Sequence, residues 1–433
     1  MTVCIVTDSF PPDLGGIATF YGNLSSMLIA SGHKVIVMKV DLDADVADDD
    51  LLIQDGLMTV VILKKSFIEK YNYYRKFFRP GGLNAPAWIS AGLTMRDWLL
   101  KNTELYDINI IDVTDYGGMG VFFCHPELPP VAVTGHGTLT QYSKINHVNK
   151  DDHYKVIIRL EQLSFKFAAI ILSYSPANQS DLKETFNRTI DFSTAPWIKD
   201  ELIHLKTNTS GLPLVVAGVQ KIKGAELLTQ ALKDPVAKDL YVEWIGIDFY
   251  TAPGGTSMAG YMNQTYSDVW NKQLIWLGAV ERQTTIRKIA DAKYIVIPSI
   301  FETFSFVALE AASLGKAIII TEGTGASYLF THGINAWIVP PDANKLAKAM
   351  IYLQQNPELC VQLGHNARQM VSEAFEEEKI LKERLYLYTR TIEDQKNHKL
   401  IKPDLGFLNN YTTSKRKAYY KLRVVAKKII KGR

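Results

Sequence analysis

Residues 298–321 read PSIFETFSFVALEAASLGKAIIIT. The stretch opens as a loop, passes into the small-residue helical pattern VALEAASLG, and closes in the β-branched run AIIIT. The apolar run YIVI stands directly before it, so the whole segment reads as strand, loop, helix, strand. That order is a βαβ unit, which means parallel strands joined by a right-handed crossover. Two acids interrupt the apolar pattern, Glu302 in the loop and Glu310 within the helix. They are eight positions apart, whereas a pair on one helix face would be three or four apart.

Working outward, the same alternation fills the chain. TVCIV, the loop TDSFPPDLGG, the helical IATFYGNLSSMLIASG and HKVIVMKV form a first unit, continued by INIIDV, PVAVTGHG and AAIILSYS. A second series holds PLVVAGV, YVEWIGI, QLIWLGAV, YIVIPSI, AIIIT and AWIVP. The polar stretch WIKDELIHLKTNTSGLP separates the two. The expected class is α/β, with two Rossmann-like, doubly wound parallel-sheet domains facing across a cleft. Their bounds are 1–196 and 212–375, with a helix near 376–396 crossing back to the first domain and a basic amphipathic tail at 401–433.

Composition fits a globular chain: 433 residues, 47% hydrophobic and 21% charged. Net charge is +3, yet ten Lys/Arg and one Asp put +9 on residues 401–433, leaving −6 elsewhere. Such asymmetry suggests a polyanionic surface as partner. Three scattered cysteines, without CxxC spacing, argue against a disulfide framework or structural zinc and for a reducing compartment. The start MTVCIVTDSF lacks the basic and apolar regions of a signal peptide, and no run approaches a spanning helix. The acid-rich DLDADVADDD, residues 41–50, reads as a solvated loop.

Four places carry chemistry. Gly15 and Gly16 end a Pro/Gly loop before a helix, where bare backbone and free N–H groups suit a phosphate, or simply make a tight turn. His136 stands between glycines in TGHG at the end of a strand, where open α/β sheets bind ligands. Lys223 in KIKG precedes a helix and offers a second anion site. Around Glu302 and Glu310, the amides from Phe304 through Ser305 and Phe306 to Val307 form an anion cradle at a helix start. Carboxylates accept from hydroxyls, so one acid on each side could grip two sugar rings flanking a diphosphate. No GxGxxG dinucleotide fingerprint is present, which disfavours an NAD oxidoreductase.

With these residues in order, the chain resembles retaining glycosyltransferases of the GT-B fold, family four of the usual classification. The resemblance covers roughly residues 1–390. It rests on the E-x7-E motif ETFSFVALE, on PPDLGG, TGHG, the Lys-Gly at 223–224, and GINAWIVPPDA at 333–343. It implies a hexosyltransferase moving a sugar from a nucleoside-diphosphate donor (UDP- or GDP-sugar). It implies no metal and no cofactor, with helix termini and cations stabilising the leaving diphosphate. By the same resemblance, Gly15 and Gly16 contact the diphosphate, and His136 the transferred sugar. Lys223 neutralises charge, Glu302 binds sugar hydroxyls, and Glu310 holds the ribose. One departure is plain: an arginine usual five or six residues before the lysine is here Gly218 or Ala217, with Lys221 as a nearby substitute.

Residues 64–80, KKSFIEKYNYYRKFFRP, carry six Lys/Arg, six aromatics and one acid. The tail segment AYYKLRVVAKKIIKGR repeats that mix at helical spacing. Basic amphipathic segments with aromatic anchors favour anionic membrane surfaces, and no nucleic-acid motif accompanies them. The expectation is a cytoplasmic enzyme, peripheral on the cytoplasmic face, with a lipid-linked or polysaccharide acceptor in cell-surface glycan synthesis. The competing readings are a catalytically silent sugar-nucleotide-binding subunit and a sugar-nucleotide epimerase.

Overall fold

The computed structural model describes residues 1–39, 50–79, 83–198, 202, 205–396 and 402–413. Most of the 41–50 acidic loop and the tail from 414 onward lie outside the described residues.

The first lobe runs β1 (Thr2–Thr7), α1 (Gly16–Ala30), β2 (Lys34–Lys39), β3 (Leu51–Asp55), β4 (Met58–Ile62), α2 (Lys64–Tyr74) and α3 (Ala85–Asn102). It continues with β5 (Ile108–Thr114), α4 (Gly120–Phe123), β6 (Val131–Thr134), α5 (Leu139–Tyr142), α6 (Asp152–Phe167), β7 (Ile170–Ser173), α7 (Pro176–Phe186) and β8 (Asp191–Phe192). The sheet order is β3-β4-β2-β1-β5-β6-β7-β8. Every residue of β1 is buried, which explains its unbroken apolar run. Every pairing is parallel except β3 with β4, an antiparallel hairpin at the sheet edge. The sequence reading contained no strand there. The hairpin signal was the Asp55-Gly56 turn, with Gly56 at positive φ.

The second lobe runs β9 (Leu214–Val216), α8 (Ala225–Leu232), β10 (Val242–Ile245), α9 (Met258–Thr265), β11 (Leu274–Trp276) and α10 (Arg282–Asp291). After these come β12 (Ile295–Ile297), α11 (Phe306–Ser313), β13 (Ile318–Thr321), β14 (Trp337–Val339), α12 (Ala343–Gln355) and α13 (Pro357–Ala374). Its sheet is parallel throughout, in the order β11-β10-β9-β12-β13-β14.

In each sheet the winding reverses once, between β1 and β5 in the first and between β9 and β12 in the second. Open α/β sheets bind ligands beyond the carboxyl ends of strands at such reversals. The loops after β1, β5, β9 and β12 therefore define where a site belongs. A single apolar cluster joins the lobes and includes Phe20, Tyr174, Trp197, Phe304 and Phe306. Trp197 is buried, so the polar stretch read as a linker contributes an anchor to this shared core.

The last long helix, α14 (Glu377–Lys396), packs on α1 and β5 of the first lobe. Its Arg384 is buried and lies 3.4 Å from Asp112 on β5. Tyr388 donates to the same carboxylate, as do Tyr21 (3.0 Å) and Thr134 (2.8 Å). A buried pair of charges is tolerated only when its remaining hydrogen-bonding capacity is met. These hydroxyls meet much of it, and they pin the helix at one register.

Candidate functional site

Lys223 follows β9 and Glu302 follows β12, the two strands that flank the reversal in the second sheet. Their charged atoms meet at 2.7 Å. Ser299 donates to the other oxygen of Glu302 at 2.8 Å, so this carboxylate is held on both sides. The two loops touch closely. A Cβ on Gly224 would lie 2.0 Å from the carbonyl oxygen of Pro298, and Gly224 has φ +81°, so glycine is required beside Lys223.

Glu310 sits one turn into α11 and is almost fully buried. Its partner is Arg282, the first residue of α10, at 2.5 Å. Burial pushes the Glu310 carboxyl above its ordinary range, and the guanidinium works against that rise. Ser305 precedes α11 without capping its first turn through its side chain. The helix thus begins between Glu302 and Glu310, and no side chain of the residue before it caps its positive end. Phe304 and Phe306 are buried in the interlobe core, and Val307 packs at its margin.

Across the cleft, Gly15 caps α1, and Gly16 faces the Phe306 ring, which a Cβ there would meet at 3.6 Å. The phosphate-type loop of the first lobe and the start of α11 therefore adjoin.

His136 is the centre of the first-lobe half. Its Nδ1 is 2.7 Å from the Tyr174 hydroxyl, and its backbone oxygen accepts from Thr303 of the other lobe at 2.8 Å. Asp115, at the end of β5, accepts the amides of His136 (3.0 Å) and Gly137 (3.0 Å), which fixes the turn. Phe20 packs edge-on against the imidazole at 4.7 Å. The buried Nε2 has no hydrogen-bond partner among the described residues. Burial first, and then the Arg384 charge, push the imidazole down to about 3, so His136 is neutral. Burial drives Asp115 up to about 7 against the amides that hold it down. Asp8, at the end of β1, is raised by burial too, and its Oδ1 is without a partner among the described residues.

The structure therefore brings His136, Lys223, Glu302, Glu310, Gly15, Gly16 and the 304–307 segment to the two reversal points. It also corrects one substitution idea: Lys221 turns to Glu226 at 3.7 Å rather than toward Glu302. GINAWIVPPDA contains β14, the edge strand of the second sheet, and runs to the start of α12, away from the reversal. Sequence reasoning missed Asp115, Asp8, Tyr174, Thr303 and Arg282. Asp8 and Asp115 were findable, because each ends a strand that flanks a reversal. Arg282 carried no local signal.

Residues 201–370 match the family described as glycosyl transferases group 1. An uncharacterised glycosyltransferase of Methanocaldococcus jannaschii is 22% identical over 91% of this chain and 99% of its own. Sucrose-phosphate synthase of Thermosynechococcus elongatus superposes with a TM-score of 0.69 at 16% identity, over 91% of this chain and 99% of its own. HepE of Anabaena, solved with UDP, gives 0.58 at 13% identity, over 90% of this chain and 100% of its own. The matched second lobe, the relative and the shared architecture agree: residues 201–370 are similar to the group 1 glycosyltransferases, and the chain has the GT-B fold.

Proposed function

We propose that the protein transfers a sugar from a nucleoside-diphosphate donor with retention of configuration and without a metal ion. The observation that carries this reading is the pair of ion pairs around the start of α11, Lys223 with Glu302 and Arg282 with Glu310. A diphosphate seated on the first-turn amides takes over Lys223. Glu302 then accepts from hydroxyls of the transferred sugar, and Glu310 from the ribose. His136, neutral and fixed by Asp115 and Tyr174, offers Nε2 to the transferred sugar. Positive charge and amide dipoles in place before reaction stabilise the leaving diphosphate. Retention follows from front-face displacement, in which the departing phosphate takes the acceptor's proton. In support, Glu302 is engaged by Lys223 and Ser299 and Asp115 by two amides, which leaves neither free to attack.

The test is a thermal-shift panel of UDP, GDP, ADP and their sugars. One nucleotide series raises the melting temperature of the wild type, and Lys223→Ala and Glu310→Ala both shrink the shift. No stabilisation by any of them would overturn the reading, and binding without turnover would favour a silent subunit.

The proposed acceptor is lipid-linked, used at an anionic membrane surface. Supporting this, α2 carries Lys64, Lys65 and Lys70, with Arg75 and Lys76 following, and the neighbouring hairpin exposes Leu51, Leu52, Ile53 and Leu57. Ser66 at the start of α2 donates to Asp50, just before β3, at 2.6 Å and so couples the two. Among the described residues, no helix is long and apolar enough to cross a membrane. In flotation with phosphatidylserine vesicles, Leu52→Asp/Ile53→Asp and a Lys64→Glu/Lys65→Glu variant float less than wild type. Equal flotation would remove this surface from the argument.

A further inference from the structure

A nucleoside diphosphate brings more than one negative charge, and Lys223 supplies one cation. Two other routes to a second cation are less direct. A Cβ on Gly218 would lie 2.4 Å from the Phe249 ring, so that position cannot direct a long basic side chain into the site without displacing an aromatic. Lys221 is engaged with Glu226.

Arg282 is differently placed. It opens α10, and its side chain is 45% exposed where that of Glu310 is 3% exposed. The guanidinium therefore stands between the buried carboxylate and solvent. Glu310 lies four residues beyond Phe306, so about 6 Å of helix axis separates it from the first-turn amides. That is about the distance from a nucleoside's ribose to its phosphates, and an arginine side chain spans it. An arginine presents five N–H donors in a planar fork and can hold a carboxylate and a phosphate oxygen together, which a lysine ammonium does with far less geometric control.

We infer that Arg282 is a donor-binding residue and the second cation of this site. In the empty site it is the ion-pair partner of Glu310. When donor enters, one N–H stays on Glu310 while the remaining donors turn to the diphosphate. The other Glu310 oxygen then accepts from the ribose. The inference rests on the donor site proposed above and adds a residue to it.

The experiment titrates wild type, Arg282→Gln, Arg282→Lys and Lys223→Ala with UDP, GDP and ADP and with uridine, guanosine and adenosine, by calorimetry. For the diphosphate that binds wild type, Arg282→Gln weakens affinity roughly 10- to 100-fold, the size expected for lost hydrogen bonds to a charged group. The matching nucleoside loses less than about threefold on that scale. Arg282→Lys recovers only part of the diphosphate affinity. Unchanged diphosphate affinity, or equal losses for nucleoside and diphosphate, would overturn the assignment. Lys223→Ala separates the two levels of argument. If it weakens diphosphate binding and Arg282→Gln does not, this inference fails alone. If neither does, the donor site itself is misplaced.

Discussion

The two walls of the cleft handle charge in opposite ways. In the second lobe, the ion pairs keep one side open to solvent: Lys223 and Glu302 are 19% and 16% exposed, and Arg282 is 45% exposed over a buried Glu310. In the first lobe, His136, Asp115, Tyr174 and Glu161 are buried, with His136 pushed down and Asp115 pushed up by desolvation. Partly exposed pairs are worth little net energy and reopen cheaply. Buried polar groups are costly to disturb unless every partner is kept. A wall of exchangeable pairs suits an anion that must arrive and leave, and a wall of fixed, buried polar groups suits a sugar that must be held in one pose.

The largest expected effects test that division directly. Lys223→Ala lowers kcat/KM for the donor by roughly 10²–10³, the range for removing one preorganised stabilising group, and weakens the free nucleoside diphosphate in parallel. His136→Gln lowers kcat while diphosphate affinity, measured by calorimetry, stays within about twofold, because uniform binding is untouched. If His136→Gln weakens the bare diphosphate as much as Lys223→Ala does, the two walls do not divide the work.

The parts legible in the sequence follow the same line. The strand alternation and the E-x7-E spacing are local patterns, and both led to loops at the two reversal points. The ion-pair partners are not local. Glu310 meets Arg282 from another βα unit, and Asp112 meets Arg384 from α14, contacts that only the winding of the sheets creates. The β3–β4 hairpin was missed because Leu51, Leu52 and Ile53 are all exposed. An apolar strand with no buried face gives no period-2 alternation to read. The missing arginine was visible at Gly218 or Ala217, but the Phe249 ring that crowds Gly218 lies beyond β10 and has no mark in the sequence near it.

A second prediction sharpens the contrast at the level of stability. Arg384→Met leaves Asp112 as a buried charge held only by hydroxyls, and about 3–5 kcal/mol of unfolding free energy is lost, the usual cost of breaking a buried pair from one side. Arg282→Gln leaves the buried Glu310 carboxyl without its cation, but a carboxyl already raised by burial takes up a proton more readily, so the loss is smaller, about 1–3 kcal/mol. Urea denaturation of both variants checks this, and comparable losses would mean that the donor-side pair is structural after all.

The smallest effect is a slope with pH, and its sign separates the groups of the first lobe. Asp115 is raised by burial to about 7 and Glu161 to about 8 in the folded chain. Both hold protons that the unfolded chain has released, so stability falls as pH rises from ordinary carboxylate values through about 7 and about 8. His136, pushed down to about 3, acts the other way: the unfolded chain takes up a proton below the ordinary histidine value of 6.5, so stability is lost as pH falls from there toward about 3. The opposing contributions overlap on the acid side of 6.5. Above it, of these three groups only the carboxylates act, and they pull the urea midpoint down from there to about 8. Asp115→Asn and Glu161→Gln, which remove the ionisations, each flatten that decline. Glu161→Gln does so at a cost in midpoint, because Glu161 accepts the amides of Leu139 (2.7 Å) and Thr140 (3.1 Å). A decline that persists unchanged in both variants would show that these carboxyls are ionised in the folded chain, and the first-lobe wall would then be as charged as the one it faces.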